Sequence, residues 1–113
     1  MPFLRLITNV PKSKIPPNFN EHMTEILQSL LNKPKEYCSV QIIPEQILTF
    51  GKSHEACALV VLMSVGRLGT MENKVYSEIL MTELANSLGI LPHLTYITFV
   101  DPKPSDICFD IYD

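Results

Sequence analysis

Met23-Thr24-Glu25-Ile26-Leu27-Gln28-Ser29-Leu30 and Met81-Thr82-Glu83-Leu84-Ala85-Asn86-Ser87-Leu88 match position by position in residue class within one chain of 113 residues. Each stretch is followed, four residues after its last leucine, by a proline: Pro34 in the first case and Pro92 in the second. A duplicated supersecondary unit constrains a fold before any finer pattern does, so the two copies are the starting point. In the first, Phe19, Met23, Ile26, Leu27 and Leu30 fall on one helical stripe, with Pro16 and Pro17 at its start and Asn32 and Pro34 at its end. In the second, Tyr76, Leu80, Leu84 and Leu88 form the stripe, Met81 and Ala85 widen it, and Gly89 is placed to cap the C-terminus.

Outward from each helix lie apolar runs rich in Val, Ile, Leu, Tyr and Phe, which favour strands. Phe3 to Thr8 and Cys57 to Met63 precede the helices; Cys38 to Ile43 and Thr95 to Val100 follow them. Each half therefore reads strand, helix, strand, in pseudo-repeats of about 1–45 and 57–102 within a single domain, 1–113. Because parallel crossovers are right-handed, two βαβ units predict an α+β fold, a four-stranded mixed sheet with both helices on one face. The run Cys57-Ala58-Leu59-Val60-Val61-Leu62-Met63 has no polar alternation, which predicts cover on both faces of that strand. Two helices cover one face only. The second face and the sheet edges thus predict a homo-oligomer, a closed ring of subunits.

Composition narrows the classes of function. A formal net charge of -3 and the lack of any Lys/Arg cluster argue against nucleic acid or an anionic membrane surface as partner. No apolar run reaches the roughly 18 residues of a membrane-spanning helix, and the N-terminus lacks the pattern of a signal peptide, so a cytoplasmic start is expected without membrane insertion. Cys38, Cys57 and Cys108 are too few and too widely spaced for a disulfide framework or a zinc pattern. The local group His54, Glu55 and Cys57 lacks a second cluster to complete four metal ligands, and reads as a loop. Gly66-Arg67-Leu68-Gly69 lacks a third glycine and reads as a turn between strand and helix rather than a phosphate cradle.

Pro2 admits two readings. Lacking an amide hydrogen, it suits the first residue of a strand. It also stands directly behind the initiator methionine, and removal of Met1 would turn it into an N-terminal secondary amine able to accept a proton. A base of that kind is neutral near physiological pH if apolar surroundings or a nearby cation disfavour its charged form.

Met1-Pro2, Thr8-Asn9-Val10-Pro11, Lys33-Pro34, Pro44-Glu45-Gln46, Phe50-Gly51, Glu55-x-Cys57-Ala58-Leu59, Ser64-Val65-Gly66 and Tyr76-Ser77 together resemble the macrophage migration inhibitory factor family of the tautomerase superfamily. The likeness runs in register from residue 1 to about residue 109. It implies a homotrimer with active sites between subunits, and catalysis of keto–enol tautomerisation of phenylpyruvate- or dopachrome-type compounds without a cofactor. The family's catalytic residue falls on Pro2. Lys33 matches the cation that holds the substrate carboxylate, and Ser64 and the backbone of Val65 match substrate-contacting positions. Tyr96, from the adjacent subunit, and Thr98 match further contacts, while Phe3, Met63, Val65, Ile107 and Phe109 match the apolar lining. As partners the resemblance implies a small aromatic keto acid and a cell-surface receptor, the latter for a cytokine-like protein that leaves cells without a signal peptide.

The chain also departs from the family. Val60 replaces the second cysteine of a Cys-x-x-Cys pair, so Cys57 has no resolving partner and a redox role through that pair is not available. Thr98 replaces an asparagine, losing the amide donor and shifting the expected substrate preference. The tail Asp110-Ile111-Tyr112-Asp113 replaces a polar aromatic ending; Tyr112 is placed to restore an aromatic wall, whereas the two added carboxylates repel an anionic substrate. Two further readings therefore stand beside the enzyme: a cytokine-like receptor ligand with weak or no tautomerase activity, and a trimeric scaffold that has lost catalysis.

Overall fold

The structure is a computed structural model that describes residues 1–108. Both repeats form as the sequence pattern predicts. In the first, β1 (Phe3–Thr8), α1 (Phe19–Leu31) and β2 (Ser39–Ile43) follow one another; in the second, β3 (Ala58–Met63), α2 (Thr70–Leu88) and β4 (Thr95–Val100). Each βαβ unit contributes one parallel pair, β1 with β2 and β3 with β4. The halves join through antiparallel pairing of β1 with β3, giving a four-stranded mixed sheet in the order β2-β1-β3-β4. The strands begin one residue later than the apolar runs at Cys38 and Cys57, where the chain is still completing a turn or loop.

Alternation along the strands decides which side is dry. Leu4, Leu6, Ala58, Val60 and Leu62 point to one face and are buried in a single cluster with Phe19, Met23, Leu27 and Leu31 of α1 and Tyr76, Leu80 and Leu84 of α2. Both helices therefore lie on that face. The stripe of α1 runs at strict i, i+4 spacing and ends on Leu31, while Ile26 and Leu30 sit at its partly buried margin. The helices are tied to one another by a hydrogen bond between the His22 ring and the Glu83 carboxylate.

Turn chemistry ends both helices where the sequence places the stops. Asn32 adopts a left-handed conformation, φ 52°, which asparagine tolerates better than most residues. Gly89 takes φ 69°, and its amide and that of Ile90 donate to the carbonyls of Ala85 and Leu84. Ile90 then turns back into the core, fully buried.

Among the described residues no layer lies over the opposite sheet face. Three cross-strand rows form it: Ser39, Phe3, Met63 and Val100; Gln41, Arg5, Val61 and Thr98; Ile43, Ile7, Leu59 and Tyr96. Tyr96 is 67% exposed and Val100 39%, and Leu59, Val61 and Met63 are only partly buried. The apolar run in β3 is thus half satisfied: its even-numbered residues meet the helices, its odd-numbered ones meet an open surface.

Shortening a core side chain checks the single-cluster description. Leu27→Ala removes a fully buried leucine between α1 and the sheet. It is expected to lower unfolding stability by about 2–5 kcal/mol, measured by urea denaturation with an unchanged slope.

Candidate active site at the head of strand β1

The strand directions concentrate several chain segments at one end of the sheet. β1 starts there, α1 returns there, β2 starts there, and β3 and β4 both finish there. Pro2 heads β1 at this end, its side chain almost fully buried. Its carbonyl accepts a hydrogen bond from the Ser39 amide at 3.1 Å, extending the β1–β2 ladder by one residue. The missing N–H of proline leaves no donor unpaired at this position.

A depression of about 410 Å³ opens over the strand head, lined in part by Met1, Pro2, Phe3, Met63 and Ile107. These five residues are apolar. Lys33 arrives from the first residue beyond the Asn32 cap, and its ammonium donates to the carbonyl of Val65 at 3.2 Å. The turn carrying that carbonyl is fixed from two sides: the Ser64 amide donates to Val100 O at 3.0 Å, and the Gly66 amide to the Asp101 carboxylate at 3.0 Å. Gly66 has φ 78°, a conformation in which a side chain is strained.

The terminal amine feels this environment. In the described chain it belongs to Met1, and burial, followed by the positive charge of Lys33, pulls its pKa below the ordinary value of 8.0. Burial raises the Cys38 thiol, against a lowering by the same amine, so Cys38 also faces the chain start. Cys57 behaves as a core residue: it is buried, its thiol lies 3.6 Å from Leu48 O, and burial raises its pKa.

The residues singled out in the sequence divide into two groups. Pro2, Lys33, Ser64, Val65 and Ile107 gather at the head of β1, with Phe3 and Met63. Tyr96 and Thr98 do not join them within the chain. Tyr96 lies four residues before Val100, about 13 Å along β4, where its ring stacks edge-on against Phe50 with centroids 4.8 Å apart. Thr98 occupies the middle row of the open face, opposite Val61. Phe109, Tyr112 and Asp113 lie outside the described residues.

The structure adds lining residues that the sequence pattern did not single out. Arg5, Glu36, Tyr37, Ser39, Gln41 and Cys108 border the same depression. Arg5 stands two residues beyond Phe3, so the period of a strand alone places both on one face. The buried Ser64 hydroxyl has no hydrogen-bond partner among the described residues.

Comparison with known proteins agrees with this architecture. Residues 1–111 match the family model described as macrophage migration inhibitory factor (MIF). Macrophage migration inhibitory factor of Meriones unguiculatus is 36% identical over 107 residues, covering 95% of this chain and 93% of that protein. The macrophage migration inhibitory factor homolog of Brugia malayi is 34% identical over 110 residues, covering 97% and 96%. The solved structure of the macrophage migration inhibitory factor from Trichinella spiralis superposes with a TM-score of 0.92 at 30% identity, covering 96% of each chain.

Removing the Lys33 charge tests the electrostatics independently of any activity. In protein that retains Met1, Lys33→Met is expected to raise the titration midpoint of the terminal amine, followed by ¹⁵N-detected NMR. An unmoved midpoint would show that the ammonium does not act on the chain start.

Proposed function

Because the chain belongs to the macrophage migration inhibitory factor family, within the tautomerase superfamily, we propose that it is a cofactor-free keto–enol tautomerase whose base is the amine of Pro2, freed by removal of Met1. The observation that carries this reading is the buried Pro2 at an apolar depression, beside a chain start whose amine is already held low by burial and Lys33. Loss of Met1 would move the amine one residue inward, onto a side chain from which water is largely excluded. Its charged form is disfavoured there, and a neutral secondary amine is available to take a proton.

The proposed substrate is an aryl pyruvate of the phenylpyruvate or dopachrome type. The Lys33 ammonium would hold its carboxylate, with the Ser64–Val65 turn beside it, while Phe3, Met63 and Ile107 surround the ring. Pro2 would remove a proton from the carbon next to the carbonyl and return it to the other end of the enol system. No electrons leave the substrate, which is why proton transfer alone suffices.

A homotrimer completes this site. Tyr96 and Thr98 are remote from Pro2 in their own chain, so they would contact substrate only from a neighbouring copy. The exposed and partly buried apolar residues of the open face, among them Leu59, Met63, Tyr96 and Val100, and the edges β2 and β4, unpaired among the described residues, supply a surface for that assembly. The relatives are named for inhibiting macrophage migration, and with the family resemblance this supports a second, cytokine-like role through a cell-surface receptor, which is compatible with catalysis.

Phenylpyruvate enolisation by protein whose mass shows Met1 removed is the direct assay. Pro2→Gly is expected to lower kcat/KM by about 100-fold or more, and unchanged turnover would exclude Pro2 as base. The pH profile should rise as the Pro2 amine loses its proton and level off once that amine is neutral. Sedimentation at micromolar concentration is expected to give three chains per particle; a monomer would leave Tyr96 and Thr98 without a site.

A further inference from the structure

We propose that Arg5 is a second anion-binding group of the depression, selecting ligands with a carboxylate at the end remote from Pro2. This rests on the reading of the depression as a keto-acid site and names a narrower class for it: an aryl keto acid bearing a second negative charge on its ring.

The position is built rather than incidental. Arg5 borders the depression together with Pro2 and Phe3. Its Nε donates to the Gln41 side-chain oxygen at 2.8 Å, bridging β1 and β2 at a directly paired position. Its guanidinium carbon lies 5.3 Å from the centre of the Phe3 ring. One cross-strand hydrogen bond and one aromatic contact thus hold the plane, which lowers the entropy lost when an anion arrives. A guanidinium has five N–H donors. Only Nε–H makes a hydrogen bond among the described residues, and no carboxylate there lies within 4.0 Å of the Arg5 nitrogens. Among the described residues the terminal nitrogens carry no partner, and their fork suits a bidentate carboxylate.

Neighbouring charges are unequal along the site. Lys33 acts on the chain start, and Glu36 borders the depression as an opposing charge without pairing with Arg5. Pro2 and Arg5 are three strand residues apart, about 10 Å, a span that an aryl ring with groups at both ends covers. A singly charged aryl pyruvate would satisfy Lys33 and leave the guanidinium facing water; a doubly charged one would engage both.

Binding can be separated from turnover by using saturated ligands that cannot enolise. Isothermal titration of 3-phenylpropanoate against its ring-carboxylated counterpart, 4-(2-carboxyethyl)benzoate, is expected to show the dianion bound about three- to fivefold more tightly, the scale of an exposed ion pair. Arg5→Gln should remove the difference, Arg5→Lys should retain part of it, and added salt should shrink it in the parent protein. Equal binding of the two ligands, no binding of either at millimolar concentration, or a preference that survives Arg5→Gln would overturn the proposal. Circular dichroism of the variants establishes that the fold is kept. If the dianion preference is present while Met1-free protein fails to turn over phenylpyruvate, the tautomerase reading falls and the Arg5 assignment stands.

Discussion

The antiparallel pairing of β1 with β3 is the constraint on which the molecule depends. Each βαβ unit alone would place its strand starts at one end, with its helix returning to them. Joining the two units head to tail brings the starts of β1 and β2 beside the finishes of β3 and β4. One end of the sheet therefore receives the chain terminus, the cap of α1, the turn after β3 and the segment after β4. No local motif could assemble Pro2, Lys33, Val65 and Ile107; the topology does.

The helices, strand identities and layer arrangement were legible because their signals are periodic. The i, i+4 spacing of Phe19, Met23 and Leu27, and the same spacing of Tyr76, Leu80 and Leu84, states the buried stripe directly. Asn32 and Gly89 mark their own stops through left-handed backbone. Leu31 continues the i, i+4 spacing from Leu27, but the stripe read from the sequence takes in Leu30 instead, which stands at i+4 from Ile26 on the neighbouring, partly buried margin. For the candidate site, Pro2 was singled out by position and chemistry, and Lys33, Ser64, Val65 and Ile107 through resemblance; the topology brings these residues to one end of the sheet. Arg5 and Gln41 were not singled out, since a charged residue within an apolar strand reads as a solvated side chain until the cross-strand register pairs it.

Family likeness in the sequence marks scaffold as much as chemistry. Thr8-Asn9-Val10-Pro11 carries part of the resemblance, yet it lies at the end of β1 remote from Pro2. Its residues hold loops together: the Thr8 hydroxyl donates to Cys57 O at 2.7 Å, and the Asn9 amide nitrogen donates to the carbonyls of Leu48 and Glu55 while its oxygen accepts from the Cys57 amide. The Gln46 amide closes on Thr8 O and the Glu45 amide on Val10 O. This latch fixes the segment between β2 and β3 and so fixes where Phe50 meets Tyr96.

The structural and chemical readings of Pro2 are one property seen twice. A residue with a backbone N–H at the strand head would need a partner, and burial of that donor without one would oppose the fold. Proline has no such donor, so it can be buried there at little cost while its carbonyl continues the ladder to Ser39. The same burial disfavours a positive charge, the condition an amine needs to act as a base near neutrality. Lys33, which lowers the pKa of the Met1 amine, is itself held by the Val65 carbonyl, and among the described residues no carboxylate pairs with it to cancel its charge. A strand that begins on proline thus creates, from packing alone, the surroundings in which its nitrogen would be most reactive once exposed.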